Sequence, residues 1–531
     1  MASASQRFLG LDSSTQSLSA IVIDAQTGEV VANHGVAYGA RLPAYGSPHG
    51  FLPNPDPRVV HSDPLMWVEA LDLLLGDLRE QGVDLSRVAG ISGAGQQHGS
   101  VYLGKSFDKA GTWSAERPMR DQVAPLLSRR TSPIWMDAST SAECAEIAAA
   151  VGGDAKVTAL SGSRAIERFT GPQIRKFWKQ QPADYERTAE IHLVSSFIAS
   201  VLAGRSAGID PGDGAGMDLL ELQTGAWSQA LLDATAPGLR GKLRPPVPAS
   251  TVVGEIAPYF VEKYGFSPGT PIVAFTGDNP SSLVGMGAAL PGKVVVSLGT
   301  SDTIFAAMAA PRVDPRGYGH VFGNPAGGFM ALVCFANGSL AREEITRRFG
   351  LTWDDFARAI LTQTKPGNGG NVLLPFFTPE ITPRLTQPAV QWSGSDAFVA
   401  GKDPPGAARA VVEAQALSMR LHAAFIGETV DTLLVTGGAS RNPGILRVLA
   451  DVFQARIVPL AVANSSALGG ALRAAAAVGG ADWQGLFSRF CAPDAAHAVE
   501  PDRSTHSVYA DLGREFERRV DAAVASTFVK G

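Results

Sequence analysis

Residues 8–24, FLGLDSSTQSLSAIVID, contain the pattern that decides the fold. Residues 8–11 are apolar, residues 12–16 are polar and rich in hydroxyl groups, and residues 18–23 are again mostly apolar. Two apolar runs on either side of a short polar stretch predict a β-hairpin with a polar tip. We expect Asp12 to stand where the first strand of this hairpin ends.

The chain after this hairpin continues with a third strand and a helix. Residues 29–36 have a strand-like pattern, and Asp63 followed by Pro64 is a typical helix start. Apolar residues at helical spacing follow, and Gly82 marks the end of the helix. We therefore expect an α/β lobe that begins with three strands.

The second half of the chain repeats this design. Residues 294–298 form a β-branched run, and residues 303–307 return as a second strand. The tip between these strands consists of Gly299, Thr300, Ser301 and Asp302. Two similar hairpins suggest two related α/β lobes, residues 1–286 and 287–531, with a small ligand bound in the cleft between them.

A third glycine turn lies farther along the chain. Residues 433–436 form a short apolar strand, and the turn after it consists of Gly437, Gly438, Ala439 and Ser440. Asn442 and Pro443 then predict a helix start, because Asn caps helices and Pro fits their first turn. Such a turn leaves the backbone open to a base or a ribose, although a Gly-Gly turn after a strand is more often only a tight connection.

The last predicted helix is rich in small residues. It spans residues 464–477, opens with Asn464, Ser465 and Ser466, and ends at Gly479. Because small side chains leave little bulk on its surface, we expect this helix to pack closely against its neighbours.

Composition restricts the classes of function. The chain has 45 Lys and Arg against 50 Asp and Glu, a formal net charge of −5, and no basic run that could follow nucleic acid or an anionic membrane. Residues 1–6 lack the features of a secretion signal, and no stretch offers a membrane span. We expect a cytoplasmic protein without nucleic-acid or membrane partners. The 3 cysteines and 9 histidines show no metal-ligand spacing, so a metal should arrive with a nucleotide.

The two hairpin tips together suggest a polyphosphate site. Glycine and hydroxyl residues can aim backbone N–H groups and side-chain O–H groups at phosphate oxygens without bulk near the backbone. Either tip alone is equally well explained as an ordinary hairpin turn. Their combination with the third glycine turn favours nucleotide binding.

Two aspartates are candidates for the chemistry. Asp12 ends an apolar strand, where a buried carboxylate needs a cation or hydrogen-bond donors, and magnesium would supply that charge. Asp278 follows the apolar residues 271–276 and is suited to accept a proton from a sugar hydroxyl. The alternative is that either aspartate only caps a turn or helix.

These ordered motifs resemble the FGGY carbohydrate kinases, of the actin and hexokinase superfamily, along essentially the whole chain. Residues 8–24 resemble the first phosphate motif, 294–301 the second, 433–442 the adenosine motif and 467–475 the second connecting helix. The resemblance implies a two-lobed α/β fold of the actin/hexokinase (ribonuclease H-like) type, with the active site in the interdomain cleft.

Within this family the chain is most similar to the members that phosphorylate D-xylulose, particularly those of animals and plants. The similarity lies in residues 95–99 (GQQHG), 277–280 (GDNP) and 163–176. It implies an ATP- and Mg²⁺-dependent sugar kinase in which Asp278 is the catalytic base. It also implies that His98, Arg168 and Asn279 hold sugar hydroxyls together with Asp278.

The resemblance further assigns the nucleotide side. It implies that Asp12 helps to place hydrated magnesium, with Asp278 as a further candidate through water. The residues implied at ATP are Asp12, Ser13, Ser14, Thr15, Gly299, Thr300, Ser301, Trp353, Gly437, Gly438, Ala439 and Asn442. Ser14 stands where most family members have glycine, so its side chain either crowds the phosphate or donates a hydrogen bond to it.

Other interpretations of these residues and of the function remain open from the sequence alone. His98 can be an ordinary buried histidine and Arg168 a surface ion-pair partner. A kinase for another acceptor, such as ribulose, gluconate or glycerol, would carry nearly the same nucleotide motifs. An actin-like ATP-binding module without transferase activity is a more distant alternative.

Overall fold

The structure is a computed structural model that describes residues 6–528. Most of the polar N-terminal stretch, residues 1–6, lies outside the described residues. Within the described part of the chain, no helix is both long enough and apolar enough to span a membrane.

The described strands alternate with helices along the chain. The strands are β1 Arg7–Ser13, β2 Ser17–Asp24, β3 Glu29–Ala37, β4 His61–Ser62, β5 Val88–Gly95, β6 Ser100–Leu103, β7 Ser132–Pro133, β8 Glu190–Leu193, β9 Leu220–Glu221, β10 Ala226–Trp227, β11 Val252–Glu255, β12 Pro271–Val273, β13 Thr276–Gly277, β14 Val294–Leu298, β15 Asp302–Met308, β16 His320–Gly323, β17 Phe329–Phe335, β18 Val372–Phe376, β19 Ala389–Ser393, β20 Thr432–Thr436 and β21 Arg456–Pro459.

The α-helices range from single turns to long elements. They are α1 Tyr38–Arg41, α2 Pro64–Glu80, α3 Met119–Val123, α4 Ser141–Val151, α5 Asp154–Ser161, α6 Thr170–Gln180, α7 Pro182–Arg187, α8 Val194–Ala203, α9 Pro211–Gly214, α10 Gln229–Thr235, α11 Pro258–Tyr264, α12 Asp278–Gly285, α13 Ser339–Phe349, α14 Trp353–Arg358, α15 Asp396–Val399, α16 Pro404–His422, α17 Pro443–Phe453, α18 Ser465–Ala477, α19 Trp483–Phe490 and α20 His506–Phe528.

The first sheet confirms the predicted hairpin. Its strand order is β11-β12-β5-β1-β2-β3, and β13 also pairs with β5. β1 and β2 are antiparallel, with Asp12 opposite Ser19, while β1 and β5 are parallel. The predicted helix after the third strand is α2, in which the Asp63 side chain accepts a hydrogen bond from the backbone N–H of Leu65. Trp67 on α2 and Phe197 on α8 belong to the apolar core beside this sheet.

The second sheet repeats the arrangement of the first. Its strand order is β16-β17-β15-β14-β20-β21. β14 and β15 form the predicted antiparallel hairpin, and β14 pairs in parallel with β20. In each sheet the first strand of a hairpin therefore pairs in parallel with a later strand, which confirms the predicted duplication of the α/β design.

The chain forms two compact units. One contains residues 6–289, 321–330 and 463–492, and the other contains residues 290–320, 331–462 and 493–528. The chain therefore passes between the units several times, whereas the sequence analysis predicted two continuous lobes that divide near residue 286. Helix α18 is grouped with the first unit because it packs on β1, β5 and α12.

The close packing predicted for α18 is confirmed. A Cβ atom on Gly10 of β1 would lie only 1.9 Å from the carbonyl oxygen of Ala467, so strand and helix approach at a distance that only glycine permits. Asn464 does not cap this helix with its side chain. Its backbone φ is 51°, and its amide instead donates a hydrogen bond to Asn33 Oδ1 at 2.5 Å.

Candidate active site

Asp278 lies at the junction between β13 and α12. It is the first residue of α12, and its Oδ1 accepts a hydrogen bond of 2.8 Å from the backbone N–H of Asn279. Burial, and then the nearby charge of Asp12, raise the pKa of Asp278 to about 7. A carboxylate that titrates near neutrality is suited to accept a proton from a hydroxyl group.

Asp12 is buried near the end of β1 and is incompletely paired. Its Oδ2 accepts a hydrogen bond of 2.6 Å from the Ser14 hydroxyl, while its Oδ1 has no partner among the described residues. Burial raises the pKa of Asp12 to about 6, and the nearby hydroxyl groups of Ser14 and Ser466 oppose this change. Ser14, which replaces the usual glycine, therefore donates to the adjacent carboxylate.

His98 is held in a backbone conformation that is uncommon for a residue other than glycine. Its backbone φ is 70°, its ring stacks on Phe169 at 4.2 Å between centroids, and its Nδ1 lies 2.7 Å from the carbonyl oxygen of Gly216. A carbonyl can only accept, so Nδ1 carries the proton and Nε2 offers a lone pair. Burial, and then the charge of Arg168, lower the pKa of His98 to about 3, which keeps the ring neutral.

Arg168 lies close enough to His98 for its charge to act on the imidazole. Its guanidinium also lies 5.5 Å from the centre of the Phe169 ring. The structure thus brings Arg168 and His98 together at Phe169, and their joint hold on a sugar stays a prediction.

Gln97 forms hydrogen bonds with both Asn279 and Gly212. The sequence analysis did not single out this residue. Its Oε1 accepts a hydrogen bond of 2.8 Å from Asn279 Nδ2, and its Nε2 donates to the carbonyl oxygen of Gly212 at 3.4 Å. Its backbone N–H also stabilises the Asp278 carboxylate. Gln97 belongs to the motif GQQHG and precedes His98. This position was the sequence signal that could have indicated a role for Gln97 in the site.

The first hairpin tip presents its hydroxyl groups in different ways. Ser13 is buried and lies 3.3 Å from the Tyr38 hydroxyl, whereas Thr15 is half-buried. Thr15 Oγ1 accepts a hydrogen bond of 2.8 Å from the indole N–H of Trp135. Ser13 is thus part of the core, while the side chains of Ser14 and Thr15 stand closer to the surface.

The second unit contains a large cavity beside the second hairpin tip. Its volume is about 820 Å³. Of the residues predicted at the nucleotide, the cavity is lined by Gly299, Thr300, Trp353, Gly438, Ala439 and Asn442. Residues from two separate sequence motifs, together with Trp353, therefore meet at one cavity within this unit. Its size suits a nucleotide.

Two of the nucleotide residues predicted in the second unit do not line this cavity. Ser301 is exposed at the hairpin tip, and Gly437 packs so closely on β14 that a Cβ atom would lie 2.4 Å from the Leu298 carbonyl oxygen. Asn442 lines the cavity and also caps α17, since its Oδ1 accepts hydrogen bonds from the backbone N–H groups of Gly444 and Ile445.

Arg342 is a further residue of this cavity that the sequence did not indicate. It is buried, its two terminal nitrogens contact the carboxylate of Asp302 at 2.7 and 3.0 Å, and it also donates to Gln415 Oε1. Burial raises the pKa of Asp302, and the charge of Arg342 opposes this change. This ion pair joins the second hairpin to α13.

The described residues contain no cluster of three or more His, Cys, Asp or Glu side chains that could hold a metal ion by themselves. The chemistry of the first unit nevertheless fits a shared cation. Asp12 Oδ1 is a buried carboxylate oxygen without a partner, and the neighbouring Asp278 raises the electrostatic cost of that charge.

The fold and these two sites define a class of protein. Residues 7–285 match the N-terminal domain, and residues 294–478 the C-terminal domain, of the FGGY family of carbohydrate kinases. The chain belongs to this family.

Individual relatives are similar over nearly the whole chain. A protein named xylulose kinase from Rattus norvegicus is 42% identical over 524 residues, which cover 96% of each chain. Xylulose kinase 2 from Arabidopsis thaliana is 40% identical over 88% of this chain and 86% of its own. The crystal structure of xylulose kinase from Rhodospirillum rubrum superposes with a TM-score of 0.83 over 98% of this chain and 100% of its own, at 22% identity. This last likeness concerns the fold.

Proposed function

We propose that this protein transfers the γ-phosphate of ATP to the C5 hydroxyl of D-xylulose, giving D-xylulose 5-phosphate and ADP. One observation carries the proposal. Asp278, a carboxylate whose pKa is raised to about 7, is held by Asn279 and by the backbone N–H of Gln97, the residue that precedes the neutral His98. The relatives that bear the name xylulose kinase support the choice of sugar.

In this mechanism Asp278 is the catalytic base. The C5 oxygen attacks the γ-phosphorus as its proton passes to Asp278, a new O–P bond forms, and the bond to the bridging oxygen of ADP breaks. Burial of Asp278, and then repulsion from the charge of Asp12, make the protonated product state of Asp278 accessible at neutral pH.

The sugar would be held by groups with complementary hydrogen-bonding roles. His98 Nε2 is an acceptor because Nδ1 donates to Gly216. Arg168 supplies only donors, and Asn279 orients its amide between Gln97 and Asp278. Such a set discriminates between sugars by the positions of their hydroxyl groups, since an unmatched buried partner costs binding energy.

The nucleotide would occupy the cavity of the second unit. Trp353 is 46% exposed and offers an aromatic face for adenine, while Gly438 and Ala439 leave the backbone open beside it. We further propose that sugar binding excludes water from the γ-phosphate and thereby limits hydrolysis.

Magnesium would be held on the side of Asp12, with Asp278 as a second contact through water. When bound, it neutralises charge on the phosphate oxygens and so favours their attack by a hydroxyl group. Ser14 directs its hydroxyl at Asp12 Oδ2 and leaves Oδ1 unpartnered.

A panel of acceptors tests the proposed function. ADP release is measured with D-xylulose, D-ribulose, gluconate and glycerol under identical conditions, with a reaction lacking any sugar as the control. The proposal predicts the highest kcat/KM for D-xylulose. A higher value for another acceptor would reassign the substrate, and hydrolysis that no sugar changes would contradict a kinase role.

A further inference from the structure

The cavity of the second unit has an apolar wall formed by α14 and the π-helical turn that follows it, Ala359–Gln363. Trp353, Ala357 and Leu361 line the cavity and follow each other at four-residue spacing, so they share one side of this helical segment. Trp353 and Leu361 are each 46% exposed, which leaves a broad apolar surface open to a ligand. This wall suits the adenine base of a nucleotide.

Another wall of the cavity joins the second hairpin tip to the start of α13. The backbone N–H of Ser339, the first residue of α13, donates to the Gly299 carbonyl oxygen at 2.9 Å. Gly338 packs so closely on the tip that a Cβ atom would lie 2.7 Å from the Thr300 carbonyl oxygen. The start of α13 therefore has a fixed position relative to the tip, where the phosphates are expected.

Glu343 lies one helical turn beyond this start. Ser339, Arg342 and Glu343 all line the cavity, and positions i, i+3 and i+4 share one side of a helix. Four residues of α-helix rise about 6 Å, which is comparable to the span from the phosphates of a nucleotide to its ribose. A nucleotide with its phosphates at the tip would therefore have its ribose near Glu343.

The Glu343 carboxylate is accessible and has no partner. The residue is exposed, and its carboxylate forms no hydrogen bond or ion pair within the part of the chain that the structure describes. The adjacent Glu344 does not line the cavity and pairs with Arg347 instead. Exposed glutamates without partners are common on protein surfaces, but this one borders a cavity of nucleotide size.

The cavity lining contains two other side chains that end in carboxylate or amide oxygens, Asp354 and Asn442. Asn442 Oδ1 already accepts hydrogen bonds from two backbone N–H groups of α17. Asp354 stands in the first turn of α14, where a negative charge stabilises the helix N-terminus. Glu343 is the fifth residue of α13, beyond the first turn, and its charge has no such structural role.

We propose that Glu343 accepts hydrogen bonds from the 2′- and 3′-hydroxyl groups of the ribose and thereby makes the enzyme select ribonucleotides. A carboxylate has two oxygens that only accept, and a vicinal diol offers two O–H donors, so the two groups are complementary. Hydrogen bonds to a charged acceptor are stronger than neutral ones. The negative charge of Glu343 also repels phosphate groups, which favours the ribose at this position. The contact rests on the nucleotide site of the proposed function.

Isothermal titration with ADP and with 2′,3′-dideoxy-ADP, both in the presence of Mg²⁺, tests this contact. The wild type should bind ADP about tenfold more tightly, equivalent to about 1.4 kcal/mol. In Glu343→Ala the two nucleotides should bind with nearly equal affinity. Removal of a negative charge near the phosphates changes the binding of both nucleotides alike, so the ratio of their affinities isolates the hydrogen bonds. The control variant Glu344→Ala should keep the tenfold ratio.

A second variant guards against an effect of the first on folding. Glu343→Gln keeps the length of the side chain and one accepting oxygen, so its ratio should lie between those of the wild type and Glu343→Ala. Equal ratios in the wild type and Glu343→Ala would overturn the proposal, as would loss of the preference in Asp354→Asn but not in Glu343→Ala.

The outcome also separates this contact from the proposed function. An unchanged ratio in Glu343→Ala, together with normal turnover of D-xylulose and ATP by the wild type, would overturn the ribose contact alone. Failure of the wild type to bind ADP would contradict the nucleotide site and the ribose contact together.

Discussion

The two hairpins each carry a buried aspartate near the tip, but the two carboxylates have different surroundings. Asp302 in the second hairpin is paired with Arg342 through two short contacts. Asp12 in the first hairpin has the Ser14 hydroxyl as a partner and one oxygen left without any. The charge of Asp302 is therefore compensated by another side chain of the protein. The charge of Asp12 has no such partner and must be compensated by a ligand.

The same contrast extends to Asp278. Burial raises the pKa of both Asp278 and Asp302, but the like charge of Asp12 adds to the rise at Asp278, whereas the cation Arg342 opposes it at Asp302. Perturbed carboxylates without a cation partner are typical of functional sites, and paired ones are typical of structural ion pairs. Replacing Asp278, Arg342 or Asp12 tests which of these carboxylates are functional and which are structural.

The largest expected effect follows from replacing Asp278 by Asn. The variant keeps the shape of the side chain but cannot accept the hydroxyl proton, so turnover should fall by about 10² to 10⁴. Steady-state kinetics with D-xylulose measure the loss, and isothermal titration with the sugar serves as the control for binding. Near-normal turnover would remove Asp278 from the role of base.

Replacing Arg342 by Met should mainly destabilise the fold. It leaves Asp302 buried and unpaired, which typically costs about 3–5 kcal/mol. The loss is measured as a lower apparent Tm by circular dichroism. The double variant Arg342→Met, Asp302→Asn should regain most of the stability because no unpaired charge remains, and a double variant as unstable as the single one would contradict this explanation.

Replacing Asp12 by Asn should stabilise the fold, by less than the replacement of Arg342 by Met destabilises it. The pKa of Asp12 is raised from 3.8 to about 6 in the folded chain, so its ionised form destabilises the fold above that pH. The variant should gain up to about 3 kcal/mol at pH 8. This gain should disappear below about pH 4, where the carboxyl group is protonated in both states. A gain that does not change with pH would point to packing instead of charge.

The sequence predicted the parts of the molecule that local patterns encode. The run of residues 8–24 gave the first hairpin, the β-branched run from Val294 gave the second, and Asn442 before Pro443 gave the start of α17. These features depend on alternation, turn residues and capping within short segments. The opening of α18 at residues 464–466 was also predicted, but the hydrogen bond from Asn464 to Asn33 was not, because it joins distant parts of the sequence.

The contacts that complete the site could not be predicted in this way. Gln97 meets Asn279 across 182 residues of sequence, and His98 meets the carbonyl of Gly216 across 118. The Arg342 pair with Asp302 likewise depends on how α13 packs behind the second hairpin. Such pairs are set by the sheet topology, which no local pattern specifies.

The pH dependence of kcat/KM for D-xylulose tests the role of Asp278 most directly. Asp278 is protonated below its folded-state pKa of about 7 and cannot then act as a base, so kcat/KM in the wild type should rise as the pH increases through about 7. The residual activity of the Asp278→Asn variant should lack this step. A wild-type profile that is flat between pH 5 and 8, or the same step persisting in Asp278→Asn, would contradict the assignment of the base.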